Sequence, residues 1–161
     1  MPEFQHFLRL VQHDIARAYD LAGRNGVDDL DILGQAGWPV AVVHDGSGFR
    51  ADWFANTTNV THRSALNPAA GDYIVLPEIM IHELESLPRD VCPVVLNQNC
   101  YLTFASIRSD RPCPYTTGAS RVRQIVTVSE DSRRYLEFAF PRICVERIRY
   151  GISANQFYPG D

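Results

Sequence analysis

A chain of 161 residues, 45% hydrophobic and 21% charged, is long enough to bury a core in one domain without disulfide or metal staples, and too apolar to stay disordered. Its net charge is −4, and all fifteen basic residues are scattered arginines, which argues against the clustered basic face of a nucleic-acid binder. No apolar run approaches the roughly 20 residues of a membrane span.

In residues 3–22, Phe4, Phe7, Leu8, Val11, Ile15, Ala18, Tyr19 and Ala22 recur at helical steps of three and four. This spacing predicts an amphipathic N-terminal helix over residues 1–25, stopped by Gly23 and the Asn25-Gly26 pair. A second helical stretch carries Val27, Leu30, Ile32 and Leu33 and ends at Gly34 or Gly37, ahead of Pro39.

Five short apolar runs follow, at residues 39–44, 73–76, 92–96, 125–128 and 145–148. Continuous runs of this length suit strands buried on both faces, as in a parallel sheet. Helix-compatible segments lie between them, notably residues 132–140. The expected fold is α/β: a Rossmann-like sheet of about five mostly parallel strands, helices on both faces.

Four runs end in polar clusters: His44-Asp45, Glu78, Asn97-Gln98-Asn99 and Ser129-Glu130. In an open parallel sheet they share the carboxyl edge, where ligands bind. Amides offer donors and acceptors together, as a hydroxyl-rich ligand requires. His44, Glu78, Asn97, Gln98, Asn99, Ser129 and Glu130 are therefore the candidate substrate-binding residues. Each has a structural alternative. Asp45-Gly46 is a turn signal, and Glu78 complements a helix N-terminus. Ser129 is a good N-cap, with Glu130 and Asp131 behind it; this is its stronger reading. The three amides either tie loops together or face a ligand. No residues stand out as catalytic.

Cys92, Cys100, Cys113 and Cys144 show no Cys-x-x-Cys spacing, and His82-Glu83 does not extend to His-Glu-x-x-His, so neither a metal nor a cofactor is expected. Asn56-Thr57-Thr58 and Asn59-Val60-Thr61 fit a glycosylation pattern by chance, with no signal peptide ahead of them. The expected compartment is a reducing cytoplasm. The aromatics Trp53, Phe54, Tyr101 and Phe104 read as core before they read as a sugar-stacking platform.

In order along the chain stand His44-Asp45-Gly46-Ser47-Gly48-Phe49-Arg50, Trp53-Phe54, Val75-Leu76-Pro77-Glu78 and Leu96-Asn97-Gln98-Asn99-Cys100-Tyr101-Leu102-Thr103-Phe104. Val128-Ser129-Glu130-Asp131-Ser132, Tyr135-Leu136, Phe140-Pro141, Arg149-Tyr150-Gly151-Ile152 and Phe157-Tyr158-Pro159 follow. This series, from about Gly26 to Pro159, resembles the N-terminal domain of bacterial family-4 ("group 1") GT-B glycosyltransferases. The resemblance implies two Rossmann-like domains with the site between them. The N-terminal one binds a sugar or glycan-type acceptor. The other binds the nucleotide sugar, commonly through a Glu-x7-Glu motif. No two glutamates here have that spacing.

The expected organisation is thus an N-terminal helix over 1–25, an acceptor-side domain over 26–152 and the start of an interdomain linker over 153–161. The chain reads as truncated before the donor-binding domain, as a fragment, a split protein whose donor-binding domain is on another chain, or a degenerate copy, and as inactive by itself. Where the family opens with a strand and a glycine-rich turn, this chain has a helical pattern, and Asn25-Gly26 stands in place of the turn. The alternative is a non-catalytic Rossmann-like binding or interaction domain that has lost transferase chemistry.

Overall fold

The computed structural model describes residues 8–11, 33–46, 48, 57–116 and 121–149, with the backbone alone for 8–11. Seven strands form one sheet: β1 Leu8–Val11, β2 Val40–His44, β3 Asn59–His62, β4 Tyr73–Pro77, β5 Cys92–Asn97, β6 Gln124–Thr127 and β7 Cys144–Arg147. Their order is β3-β2-β1-β4-β5-β6-β7, and every pair is parallel. Among the described residues, three 3₁₀ helices accompany them: η1 Arg63–Ala65, η2 Glu78–Glu85 and η3 Cys100–Leu102. The α-helix α1, Glu130–Ala139, links β6 to β7.

Burial follows position in the sheet. In β2, Val40, Ala41, Val42 and Val43 are all buried, which explains their uninterrupted apolar run. The outer strands β3 and β7 have no fully buried residue. Ile74, Leu76, Ile81, Val95, Ile125 and Leu136 form the core with Tyr115 and Phe140. Helix α1 packs on β7 and places Leu136 in the core, while η2 lies against β4 and β5.

The five runs expected to be strands are β2, β4, β5, β6 and β7. Two strands were not expected. β3 is Asn-Val-Thr-His, with one aliphatic residue, because an edge strand has little to bury. β1 corrects the N-terminal helix at residues 8–11: it supplies the first strand, pairs with both β2 and β4, and lies in the interior of the sheet. Leu-Arg-Leu-Val is too short to separate a period of 2 from one of 3.6, so the helical spacing around it misled. Residues 1–7 and 12–32, with Phe4, Phe7 and Ile15, lie outside the described residues.

Residues 33–35 are helical and stop where Gly37 turns left-handed, at φ +86°. The Gly37 N–H donates to the Gly34 carbonyl at 3.0 Å, and the Trp38 N–H to Leu33 at 2.9 Å. This double closure needs a residue without a Cβ penalty at its left-handed position. Gly37, not Gly34, is therefore the stop.

The stretch 78–90 contains η2, whose Met80, Ile81 and Leu84 enter the core. Arg121 closes its far end, with Nη1 donating to the Leu84 and Leu87 carbonyls at 2.9 and 3.0 Å and Nη2 to Pro88. A cation on the final carbonyls satisfies groups that the helix leaves unpaired.

Candidate functional site

Because all seven strands are parallel, the residues that follow them share one edge. The order reverses between β1 and β4, with β2 and β3 on one side and β5, β6 and β7 on the other. Such a reversal opens a crevice at the carboxyl ends of the strands. His44, Glu78, Asn97, Ser129 and their neighbours stand along this edge, at the ends of β2, β4, β5 and β6.

On the β2–β3 side, His44 and His62 are register partners. His44 Nδ1 accepts the Gly46 N–H at 2.8 Å. His62 Nε2 meets the Asp45 carbonyl at 2.7 Å, and its Nδ1 meets Ser64 Oγ at 2.6 Å and the Ser64 N–H at 3.2 Å. A carbonyl can only accept, so Nε2 carries the proton and Nδ1 is the acceptor. His62 thereby caps η1 and fastens β3 to β2. The next residue, Arg63, pairs with Glu83 in η2 and lies 3.8 Å from Asp45. Burial pulls the Glu83 carboxyl upward, but Arg63 outweighs it and holds the group below the ordinary range.

On the other side, Glu78 is buried, and its Oε1 accepts the Asn99 N–H at 2.9 Å. Burial raises this carboxyl above its ordinary value, although the N–H groups of Gln98 and Asn99 favour ionisation. Asn97, at the end of β5, is fully buried and donates through Nδ2 to Thr103 Oγ1 at 2.8 Å. Asn99 caps η3 by accepting the Tyr101 N–H at 3.0 Å. Thus Asn97 and Asn99 both order the loop after β5, while Glu78 joins that loop to the end of β4.

Ser129 is the N-cap of α1, accepting the Ser132 N–H at 3.0 Å. Glu130 lies among Arg133, Arg134 and Arg147. Led by the Arg133 hydrogen bond, these guanidiniums bring its carboxyl down to about 2. Both residues are at the expected edge, and each already has a structural task there.

Several polar residues of this edge carry weak sequence signals. Thr127 is the one hydroxyl in an apolar run, and it is fully buried. Tyr115, also buried, lies in a proline- and hydroxyl-rich stretch that reads as surface loop. Its ring stacks on Phe140 with centroids 4.4 Å apart. Conversely, Tyr101 is 87% exposed and Phe104 44%, so these two aromatics are not core. Trp53 and Phe54 lie outside the described residues, as do residues 117–120 and the linker segment from 150 onward.

Among the described residues, no group of three or more His, Cys, Asp or Glu is placed to hold a metal ion, and no helix is long and apolar enough to cross a membrane. All four cysteines are free thiols. Topology and edge together define a Rossmann-like α/β domain with a polar carboxyl edge. No protein-family model, curated protein or solved structure matches the chain.

Proposed function

We propose that this chain is the acceptor-binding domain of a nucleotide-sugar-dependent glycosyltransferase of GT-B type. The carrying observation is the convergence of Glu78, Asn97, Gln98 and Asn99 beside the strand-order reversal, on adjacent strands β4 and β5. Amides and a carboxylate on rigid strand ends suit a ligand that presents hydroxyl groups. Exposed Tyr101 and Phe104 on the same loop provide apolar faces suited to a sugar ring. The ordered sequence resemblance to family-4 transferases supports the same reading.

Donor binding falls to a second domain carrying the Glu-x7-Glu pair, since no two glutamates here have that spacing. Transfer needs both reactants held in one cleft, and such positioning supplies roughly 7–11 kcal/mol of a barrier. The test is transfer of labelled sugar from UDP- and GDP-sugars to a panel of sugar acceptors. The chain alone should give no turnover. Adding a donor-binding domain from a family-4 transferase in trans should restore it, and Glu78→Ala should reduce it. Turnover by the chain alone would refute the division of labour.

The lack of a Glu-x7-Glu pair also favours a second reading, a non-catalytic Rossmann-like binding or interaction domain. It predicts acceptor binding that no added donor domain converts into transfer.

A further inference from the structure

Among the described residues, four buried side-chain oxygens have no hydrogen-bond partner: Asn97 Oδ1, Thr127 Oγ1, Tyr115 Oη and Ser106 Oγ. Buried polar groups in folded proteins are nearly always paired, and an unpaired one costs about 1–3 kcal/mol. Several such atoms in one small domain call for a common explanation.

The orientation of the Asn97 amide follows from its neighbours. Thr103 Oγ1 donates its hydrogen to the Cys100 carbonyl at 2.7 Å, so it can only accept from Asn97. Nδ2 therefore faces Thr103, and Oδ1 is the atom left over. Asn97 and Thr127 are register partners on β5 and β6, both fully buried. Paired residues on adjacent parallel strands project to the same face, with strands about 4.8 Å apart, so one intervening oxygen atom can reach both.

Tyr115 connects to Asn97 through a relay of side chains. Asn97 holds Thr103; the next residue, Phe104, meets Phe140 at 5.8 Å between centroids, and Phe140 stacks on Tyr115. Burial and the negative charge of Glu78 both keep the Tyr115 hydroxyl protonated. It can therefore donate.

We propose that Asn97, Thr127 and Tyr115 form a buried subsite for one alcohol hydroxyl of a polyol or sugar. The chemistry matches group for group. An alcohol has one hydrogen and two lone pairs. Its hydrogen goes to Asn97 Oδ1, which can only accept. Its lone pairs take the Thr127 and Tyr115 hydroxyl hydrogens. An ether in place of the hydroxyl leaves Asn97 unpaired, so the subsite discriminates a free alcohol from its methyl ether. The inference deepens the acceptor reading, because it names the ligand group that the edge recognises.

The test uses the full chain, titrated with myo-inositol and with methyl α-glucoside while backbone and Asn97 side-chain amide resonances are followed by NMR. Thr127→Val and Tyr115→Phe each delete one hydroxyl with little change of shape. Saturable shifts at Asn97 are expected with at least one probe. Each variant should weaken binding about threefold to tenfold, while its ligand-free Tm stays at or above that of the parent, because an unpaired buried hydroxyl has been removed. No saturable shift with either probe would overturn the subsite. So would unchanged affinity in both variants, which would assign these oxygens to an ordered water only. Affinity lost together with a lower ligand-free Tm would mark a structural role and overturn it as well. Binding retained without transfer, even with a donor domain added, would sink the transferase reading and leave the subsite standing.

Discussion

Arg63 pairs with Glu83 although one follows β3 and the other lies in the helix after β4. β2 and β1 stand between those strands in the sheet. The ion pair thus joins the two halves of the carboxyl edge across the strand-order reversal. Arg63 is about a third exposed and Glu83 less so, so the pair is partly screened by solvent. A double-mutant cycle with Arg63→Ala and Glu83→Ala should give a coupling of about 0.5–1 kcal/mol, near the upper end for such pairs. Urea unfolding measures it. Strictly additive variants would show that the contact adds nothing to stability.

Arg121 presents a different balance. Its guanidinium serves three carbonyls at the end of η2, those of Leu84, Leu87 and Pro88. Arg121→Met retains much of the aliphatic stem and removes every donor. The expected loss is about 1.5–3 kcal/mol, the range for hydrogen bonds to charged groups. Amide exchange in residues 78–88 should quicken more than in β5 if the loss is local to η2.

Helix α1 depends on one buried apolar side chain and one cap. Leu136 is fully buried against the core, and Leu136→Ala should cost about 2–5 kcal/mol. Ser129→Ala removes the acceptor for the Ser132 N–H and should cost about 1 kcal/mol. Thermal unfolding of the two variants should rank them in that order. The reverse order would mean that α1 is anchored by its cap and not by its packing.

Acid should weaken the fold through Glu130 and oppose that loss through Glu78. The Glu130 carboxyl falls from an ordinary 4.5 to about 2. A lowered carboxylate stabilises the native state at pH above its unfolded value. That contribution disappears as pH falls through the window from 4.5 to about 2. Glu78 is shifted upward by burial, so its proton favours the native state. Its contribution is present below the unfolded value and is lost as pH rises through the higher native one. Glu130→Gln should therefore flatten the acid-side fall in Tm. Glu78→Gln should steepen it. Tm measured across the acid range in low salt checks both signs, and a parallel response of the two variants would contradict them.

The sequence by itself determined the strands that are buried. Val40 to Val43 and the β5 run announce themselves because a parallel strand covered on both faces is apolar along its length, while β4 and β6 bury alternate residues of their apolar runs. The polar clusters after those runs mark where each strand ends at the carboxyl edge. Tertiary structure alone decided the rest. The four residues of β1 carry too short a pattern to choose between helix and strand, and only pairing with β2 and β4 settles them. β3 is polar because an edge strand has little to bury, so periodicity had nothing to detect. Asn97, Thr127 and Tyr115 lie far apart in the chain. Their burial and unpaired oxygens arise from sheet register and loop packing, which no local spacing encodes.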